Sequence, residues 1–174
     1  MAGGGMEIED NKARMVKAQR ELRRLDSLDL KIGIFAEEGS TVLMIANVHE
    51  FGASIEVTEA MQGWFMHQGF APPQGTIEIP ERSYMRSAYD ENKDDWEQAG
   101  QGLLARLMLG AMSAREVMRR LGQLIESDIK SYLDELDSPP LSSMTLERRR
   151  KGDQANPLVD TGDHILGRIT YEVE

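Results

Sequence analysis

ASIEVTEAMQGWFMHQGFAPPQGTIEIP, residues 53–80, is the passage that decides the fold. Ile55-Glu56-Val57-Thr58 and Thr76-Ile77-Glu78-Ile79 alternate apolar and polar side chains, the period of a strand with one covered face. Pro80 stops the second run because it brings no N–H to a ladder. Between the two, Thr58 is placed to cap a brief helical insert from Glu59 to Phe65, and residues 69–75 are rich in Gly and Pro. Strand, insert and strand make a long hairpin, an excursion over 53–80, whose tip carries Met61, Trp64, Phe65, Met66 and Phe70. A tip flanked by Gly and Pro has little material for a private core. These side chains therefore either fold back on their own domain or dock on a neighbouring subunit, since large exposed apolar patches mark interaction sites.

Working outward, the two sides of the hairpin differ. Upstream, Met15, Ala18, Leu22 and Leu25 recur at three- and four-residue steps, which predicts an amphipathic helix over 6–25 after a flexible leader, 1–5. Leu28, Leu30, Ile32 and Ile34 alternate with Asp29, Lys31 and Gly33 as a strand does. Ser40 or Thr41 is expected to cap a helix over 42–50, ended by Phe51-Gly52, where glycine takes the positive φ of a helix C-terminus. Downstream, the chain reads as helical from Asp90 for about 45 residues. One stripe holds Trp96, Leu103, Leu104, Leu107 and Met108; Gly110 interrupts it. Ser113-Ala114-Arg115-Glu116 restarts a helix as a capping box, with a second stripe of Val117, Leu121, Leu124, Ile125, Ile129, Tyr132 and Leu136. Ser138-Pro139-Pro140 ends that helix. A long polar loop, 138–163, precedes a closing strand with Ile165, Ile169, Tyr171 and Val173 on one face. The order predicts an α+β fold: a small, mostly antiparallel sheet of three or four strands, one long hairpin among them, packed against helices in a single domain, 6–174.

Composition narrows the functional classes. The 174 residues are 40 % hydrophobic and 29 % charged, an ordinary globular balance, and no apolar run approaches the roughly 20 residues that span a bilayer. Cysteine is absent, so no disulfide framework or thiolate chemistry is available. The net charge of −10 is opposite to that of a chain built to grip phosphates, though it suits a surface that DNA passes without sticking.

The search for chemistry yields little. His49-Glu50 resembles the start of a zinc-protease helix, but that motif needs a second His at position 53, where Ala53 stands. His67 and His164 complete the histidines. Asp160-Thr161-Gly162 echoes an aspartic-protease loop, yet it follows a polar loop on a mixed scaffold and reads better as a turn launching a strand. Arg148, Arg149, Arg150 and Lys151 form the strongest basic run, either solvated, engaged with acidic surface of another subunit, or touching phosphate. The acidic block 90–97 reads as a helix N-terminus whose carboxylates complement the dipole. No catalytic group, cofactor or metal site is expected.

Several stretches, taken in order, resemble one family. They are Val48-His49-Glu50-Phe51-Gly52, Ile79-Pro80-Glu81-Arg82-Ser83-Tyr84-Met85-Arg86, Tyr89-Asp90-Glu91-Asn92-Lys93, Thr145-Leu146-Glu147-Arg148-Arg149, Pro157-Leu158-Val159-Asp160-Thr161-Gly162 and Ile169-Thr170-Tyr171-Glu172-Val173. From about residue 41 to the end, the chain is similar to the tail-completion or head–tail joining (neck, virion morphogenesis) proteins of long-tailed bacteriophages and prophages. Two departures stand out: Ser83 where the family has proline between Arg82 and the aromatic Tyr84, and Asp163-His164-Ile165 where it has a basic residue and leucine. The resemblance implies a non-catalytic structural subunit made in the host cytoplasm and carried in the virion neck. It implies a ring, commonly six-fold, at the head-proximal end of the tail, whose partners are copies of itself, the tail tube or terminator protein and the head–neck connector proteins. On the same reading DNA is expected to pass through the channel without specific binding, and no membrane partner is expected. On this reading Met61, Trp64, Phe65, Met66, Phe70, Tyr84 and Arg148 to Lys151 are candidates for the interface. His49, Phe51, Gly52, Pro80, Arg82, Asp160 and Gly162 are structural motif residues. Competing readings are a tail terminator capping tube growth, a nucleic-acid-binding regulator using Arg148 to Lys151, and a hydrolase assembled around His49 and Glu50.

Overall fold

The structure is a computed structural model of the chain, and it describes residues 4–35, 37, 39–142, 145–146, 158 and 165–174. The fold is α+β. In chain order come α1 (Gly4–Leu25), β1 (Leu30–Gly33), α2 (Ser40–Phe51), β2 (Ala53–Glu56), α3 (Glu59–His67), β3 (Thr76–Ile79), α4 (Tyr84–Met108), α5 (Ala114–Glu135), a 3-10 turn (Leu166–Arg168) and β4 (Thr170–Val173). The four strands form two separate antiparallel ladders, β1 with β4 and β2 with β3, rather than one sheet. Two compact units result: Met1–Gly33 with Ala88–Ser131 and Ile169–Glu174, and Ile34–Ser87 with Tyr132–Arg168.

In the first unit α4 and α5 meet at a tight turn. Gly110, at φ 74°, turns the chain, and its N–H and that of Ala111 bond the carbonyls of Leu107 and Arg106. Ser113 caps α5 as the sequence predicts, accepting the Glu116 N–H at 3.3 Å. A second cap comes from far away in sequence: Glu21 of α1 accepts the Ala114 N–H at 2.7 Å. Beneath the turn Leu107, Met112, Ala114 and Val117 are buried together, with Leu22, Leu25, Leu28 and Leu103 packed against them. Full burial of a leucine such as Leu107 contributes about 2 kcal/mol. Further along, the Trp96 indole N–H donates to Asp128 at 2.7 Å, and Tyr89 meets the Trp96 ring edge-on. Met108, expected in the apolar stripe, is exposed because α4 ends there and the chain turns away.

β4 closes the first unit. It pairs with β1 so that Ile32 faces Tyr171 and Lys31 faces Glu172, and Asp29 and Glu174 exchange both backbone bonds beyond the ladder. Lys31 also makes an ion pair with Glu174. The Tyr171 ring lies directly on Gly122 of α5; a Cβ at that glycine would stand 2.5 Å from Tyr171 Cδ2 and 3.0 Å from Leu30 Cδ1. Glycine is there for space.

The second unit contains the hairpin. β2 and β3 pair from Ala53–Ile79 to Glu56–Thr76, two residues earlier on β2 than the alternation alone suggests. Ser54 and Glu78, opposite each other, share a hydrogen bond of 2.7 Å. Thr58 caps α3 by accepting the Met61 N–H, as its position before the insert predicts. Two expectations change. The N-cap of α2 is Gly39, with no side-chain bond, instead of Ser40 or Thr41. Helix α4 begins at Tyr84, six residues before Asp90, so its first turn contains no acidic residue.

Gly122→Ala is expected to lower stability by about 1–3 kcal/mol through overpacking against Tyr171. The opposing gain in helix propensity is about 1 kcal/mol. Urea-denaturation midpoints of the two proteins check the sign.

Candidate functional site

Of the stretches singled out in sequence, residues 49–52 and 79–86 come together in the second unit. Gly52, at φ 71°, ends α2 where the chain enters β2, and a side chain there would press on the backbone of the neighbouring strand: a Cβ would lie 2.9 Å from the Ile79 carbonyl oxygen and 3.0 Å from the Glu81 nitrogen. The Arg82 N–H returns to α2, donating to the His49 carbonyl at 2.7 Å. Pro80, between these contacts, ends β3 and has no N–H that needs an acceptor.

Glu50 sits at the centre of this cluster and is only 6 % exposed. Its carboxylate accepts from Ser83 Oγ at 3.1 Å, from the backbone N–H groups of Met85 at 3.0 Å and Arg86 at 3.1 Å, and from Arg86 Nε at 3.1 Å. The two backbone donors belong to the first turn of α4, which has no intrahelical acceptors for them. A carboxylate from α2 thus serves as the anion that a helix N-terminus favours. The serine that stands where the resemblance expects proline contributes a hydroxyl donor to the same carboxylate.

Arg86 completes the cluster. It donates from Nη2 to the Glu50 carbonyl and to Glu81 Oε1, each at 2.7 Å, and its guanidinium lies 4.8 Å from the centre of the Phe51 ring. Arg82, buried, points elsewhere: Nε donates to the Pro139 carbonyl at 2.9 Å and Nη2 to that of Pro140 at 3.1 Å. Its planar fork fits two successive carbonyls, which lysine could not match.

Beside Arg82 opens a cleft of about 590 Å³ whose lining includes His49, Phe65, Pro73, Ile77, Ile79 and Thr145. His49 Nδ1 is buried with no partner among the described residues. Burial, and next the nearby Arg82 charge, hold the imidazole below its usual pKa. Tyr84, expected to face a partner, is 2 % exposed. Its phenol is pushed up by burial first and then by Glu50. Tyr84 is a packing residue at the start of α4, because the helix begins there and turns its first aromatic inward.

The hairpin tip divides its apolar residues. Phe65, expected at the interface, folds back: it is buried, with the Trp64 ring edge-on at 5.1 Å. Trp64 is 49 % exposed and Met66 58 %. Met61 and Phe70 are half-buried. Arg148, Arg149, Arg150, Lys151, Asp160 and Gly162 lie outside the described residues.

What the cluster can do follows from its bonding. Glu50 meets four donors, so its lone pairs are engaged in holding α2 to the start of α4; it is not a free base beside His49. Among the described residues no group of three or more His, Asp or Glu side chains gathers as a metal site. No described helix is long and apolar enough to cross a membrane. No family model matches the chain, and no curated protein or solved structure matches it either.

Glu50→Ala should cost about 2–4 kcal/mol, because it leaves two N-terminal amides of α4 and the Arg86 guanidinium without their acceptor. Urea denaturation measures the loss, and Glu50→Gln, which retains one acceptor oxygen, should recover part of it.

His49 gives a pH dependence of defined sign. Above about pH 6.5 both folded and unfolded chains hold neutral His49; below it the unfolded chain takes up a proton that the folded chain resists. Stability is therefore lost as pH falls from about 6.5 to the lowered folded value. In His49→Gln this share of the acid sensitivity disappears. The urea midpoint should fall less between pH 7.5 and pH 5 than in the unaltered protein, whose carboxylates are otherwise the same.

Proposed function

We propose that the chain is a structural virion protein of a long-tailed phage or prophage. It forms a ring with copies of itself at the head-proximal end of the tail, for tail completion and head–tail joining. The observation that supports this most is the bonding of the stretches on which the resemblance rests. Residues 49–52 and 79–86 are consumed in an internal brace of carboxylate, guanidinium and backbone, leaving the hairpin tip to present Trp64 and Met66 outward. Residues of this kind hold a shape; they do not turn over a substrate. Exposed aromatic and methionine side chains at a hairpin tip are suited to a neighbouring protein surface. The tail tube or terminator and the head–neck connector proteins are the neighbours that the reading names. An acidic chain is compatible with DNA sliding past it.

Electron microscopy tests the reading in two ways. The purified protein, alone or with its tail-tube partner, is expected to give annular particles. A strain lacking its gene is expected to release full heads and unattached tails. Overlong tails from that strain would assign the terminator role instead, and normal virions would defeat both. Specific retention of DNA on a filter at moderate salt would favour a nucleic-acid-binding regulator.

A further inference from the structure

Helix α1 is amphipathic along its described side chains, but its cover stops halfway. Leu22 and Leu25 pack on the buried cluster of the first unit, and Ala18 is buried. One turn earlier on the same stripe, Met15 is 60 % exposed, and Val16 beside it is 55 % exposed. Every residue from Asn11 to Lys17 is exposed. Two turns of helix with no packed face are marginal by themselves, since most helical stability in proteins comes from burying one side.

This part of the chain also has its own charge. Residues 11–25 hold six Lys and Arg against one carboxylate, Glu21, in a chain of net charge −10. Lys12, Val16, Arg20 and Arg23 follow at four- and three-residue steps, so three cations border an exposed apolar side chain on one face. None of these three makes a side-chain hydrogen bond or ion pair among the described residues.

The matching surface is on α4 of the same unit. Asp90, Asp94 and Glu97 repeat at four and three residues, flanked by Glu91 and Asp95; one cation, Lys93, stands among these five carboxylates, which leaves an excess of four negative charges, and all five acidic side chains are exposed. They too have no ion pair among the described residues. Because α4 starts at Tyr84, these carboxylates are not in its first turn, and the helix dipole does not account for them. Like charges three and four residues apart weaken an isolated helix. Exposed Tyr89 adds an apolar surface at the head of the acidic stripe.

We propose that the exposed face of α1 that carries Lys12, Val16, Arg20 and Arg23 docks on the acidic face of α4, residues 90–97, in a second copy of this chain. Each copy then offers one basic and one acidic surface. That is a head-to-tail contact, which closes into a ring when its rotation divides a full turn. The inference rests on the ring reading above and names the contact that builds it.

Two triple variants test it, Lys12→Glu/Arg20→Glu/Arg23→Glu and Asp90→Lys/Asp94→Lys/Glu97→Lys. Both change exposed side chains, and circular dichroism should show them folded. In sedimentation velocity the unaltered protein is expected to assemble at low salt and to dissociate as salt is raised. Each variant alone is expected to sediment as a single chain. Mixed one to one, they should assemble again, because reversed α1 now fits reversed α4 and the native surfaces fit each other. Assembly of either variant alone as in the unaltered protein overturns the α1 contact and leaves the ring reading standing. Failure of the mixture to assemble overturns the pairing. An unaltered protein that stays monomeric at every concentration overturns both. If that monomer instead binds duplex DNA or anionic vesicles through Lys12, Arg20 and Arg23, those are the partners of α1. Assembly through α1 together with normal virions from the deletion strain keeps the contact and removes the phage role.

Discussion

A carboxylate buried at the start of a helix has to be matched by donors or it unfolds its surroundings. Glu50 is matched by two backbone amides of α4, the Ser83 hydroxyl and Arg86, and in meeting them it fixes where α4 begins and which way the chain leaves β3. Gly52 allows the backbone of α2 to approach Ile79 and Glu81 without a side chain between them. Arg82 then reaches the two prolines that end the long helical passage. The hairpin, the cleft beside His49 and the outward set of Trp64 and Met66 all take their position in the second unit from this brace. Removing a charge from such a site costs more than the pair contributes, because what remains is a buried group without a partner.

Much of this was legible in the sequence wherever the physics is local. Thr58 caps the insert it precedes, Gly110 and Ser113 mark the break between the two long helices, and alternation around residues 55 and 77 gives the hairpin to within two residues. Periodicity could not reveal acceptors supplied from a distance. The start of α4 lies six residues earlier than its charge pattern suggests, since Glu50 is 35 residues away from the amide it caps. The Glu21 bond to Ala114 is hidden for the same reason, the two lying 93 positions apart. Tyr84 is an interface candidate on the resemblance alone, and the three-dimensional start of the helix turns it inward.

The acidic stretch 90–97 shows how one misplaced boundary changes a functional reading. At a helix N-terminus, five carboxylates need no further explanation. Inside the helix they repel one another along its length; Lys93 is the one cation in the stretch, and none of the five carboxylates forms an ion pair among the described residues. Residues 11–25 of α1 are a described surface in the same unit with the opposite excess and an uncovered apolar margin.

The division of four strands into two ladders has its own consequence. A ladder of two strands has an outer edge on each side, with backbone donors and acceptors facing away from the pair. Such edges invite indiscriminate strand-to-strand polymerisation, a hazard for any subunit that must gather at high local concentration. Each strand here is four residues long and carries one ionised side chain: Lys31, Glu56, Glu78 and Glu172. Three of the four are negative, so edges from different copies repel more often than they attract. Brevity and charge discourage runaway stacking, which leaves recognition between copies to side-chain surfaces that can stop at a finite number.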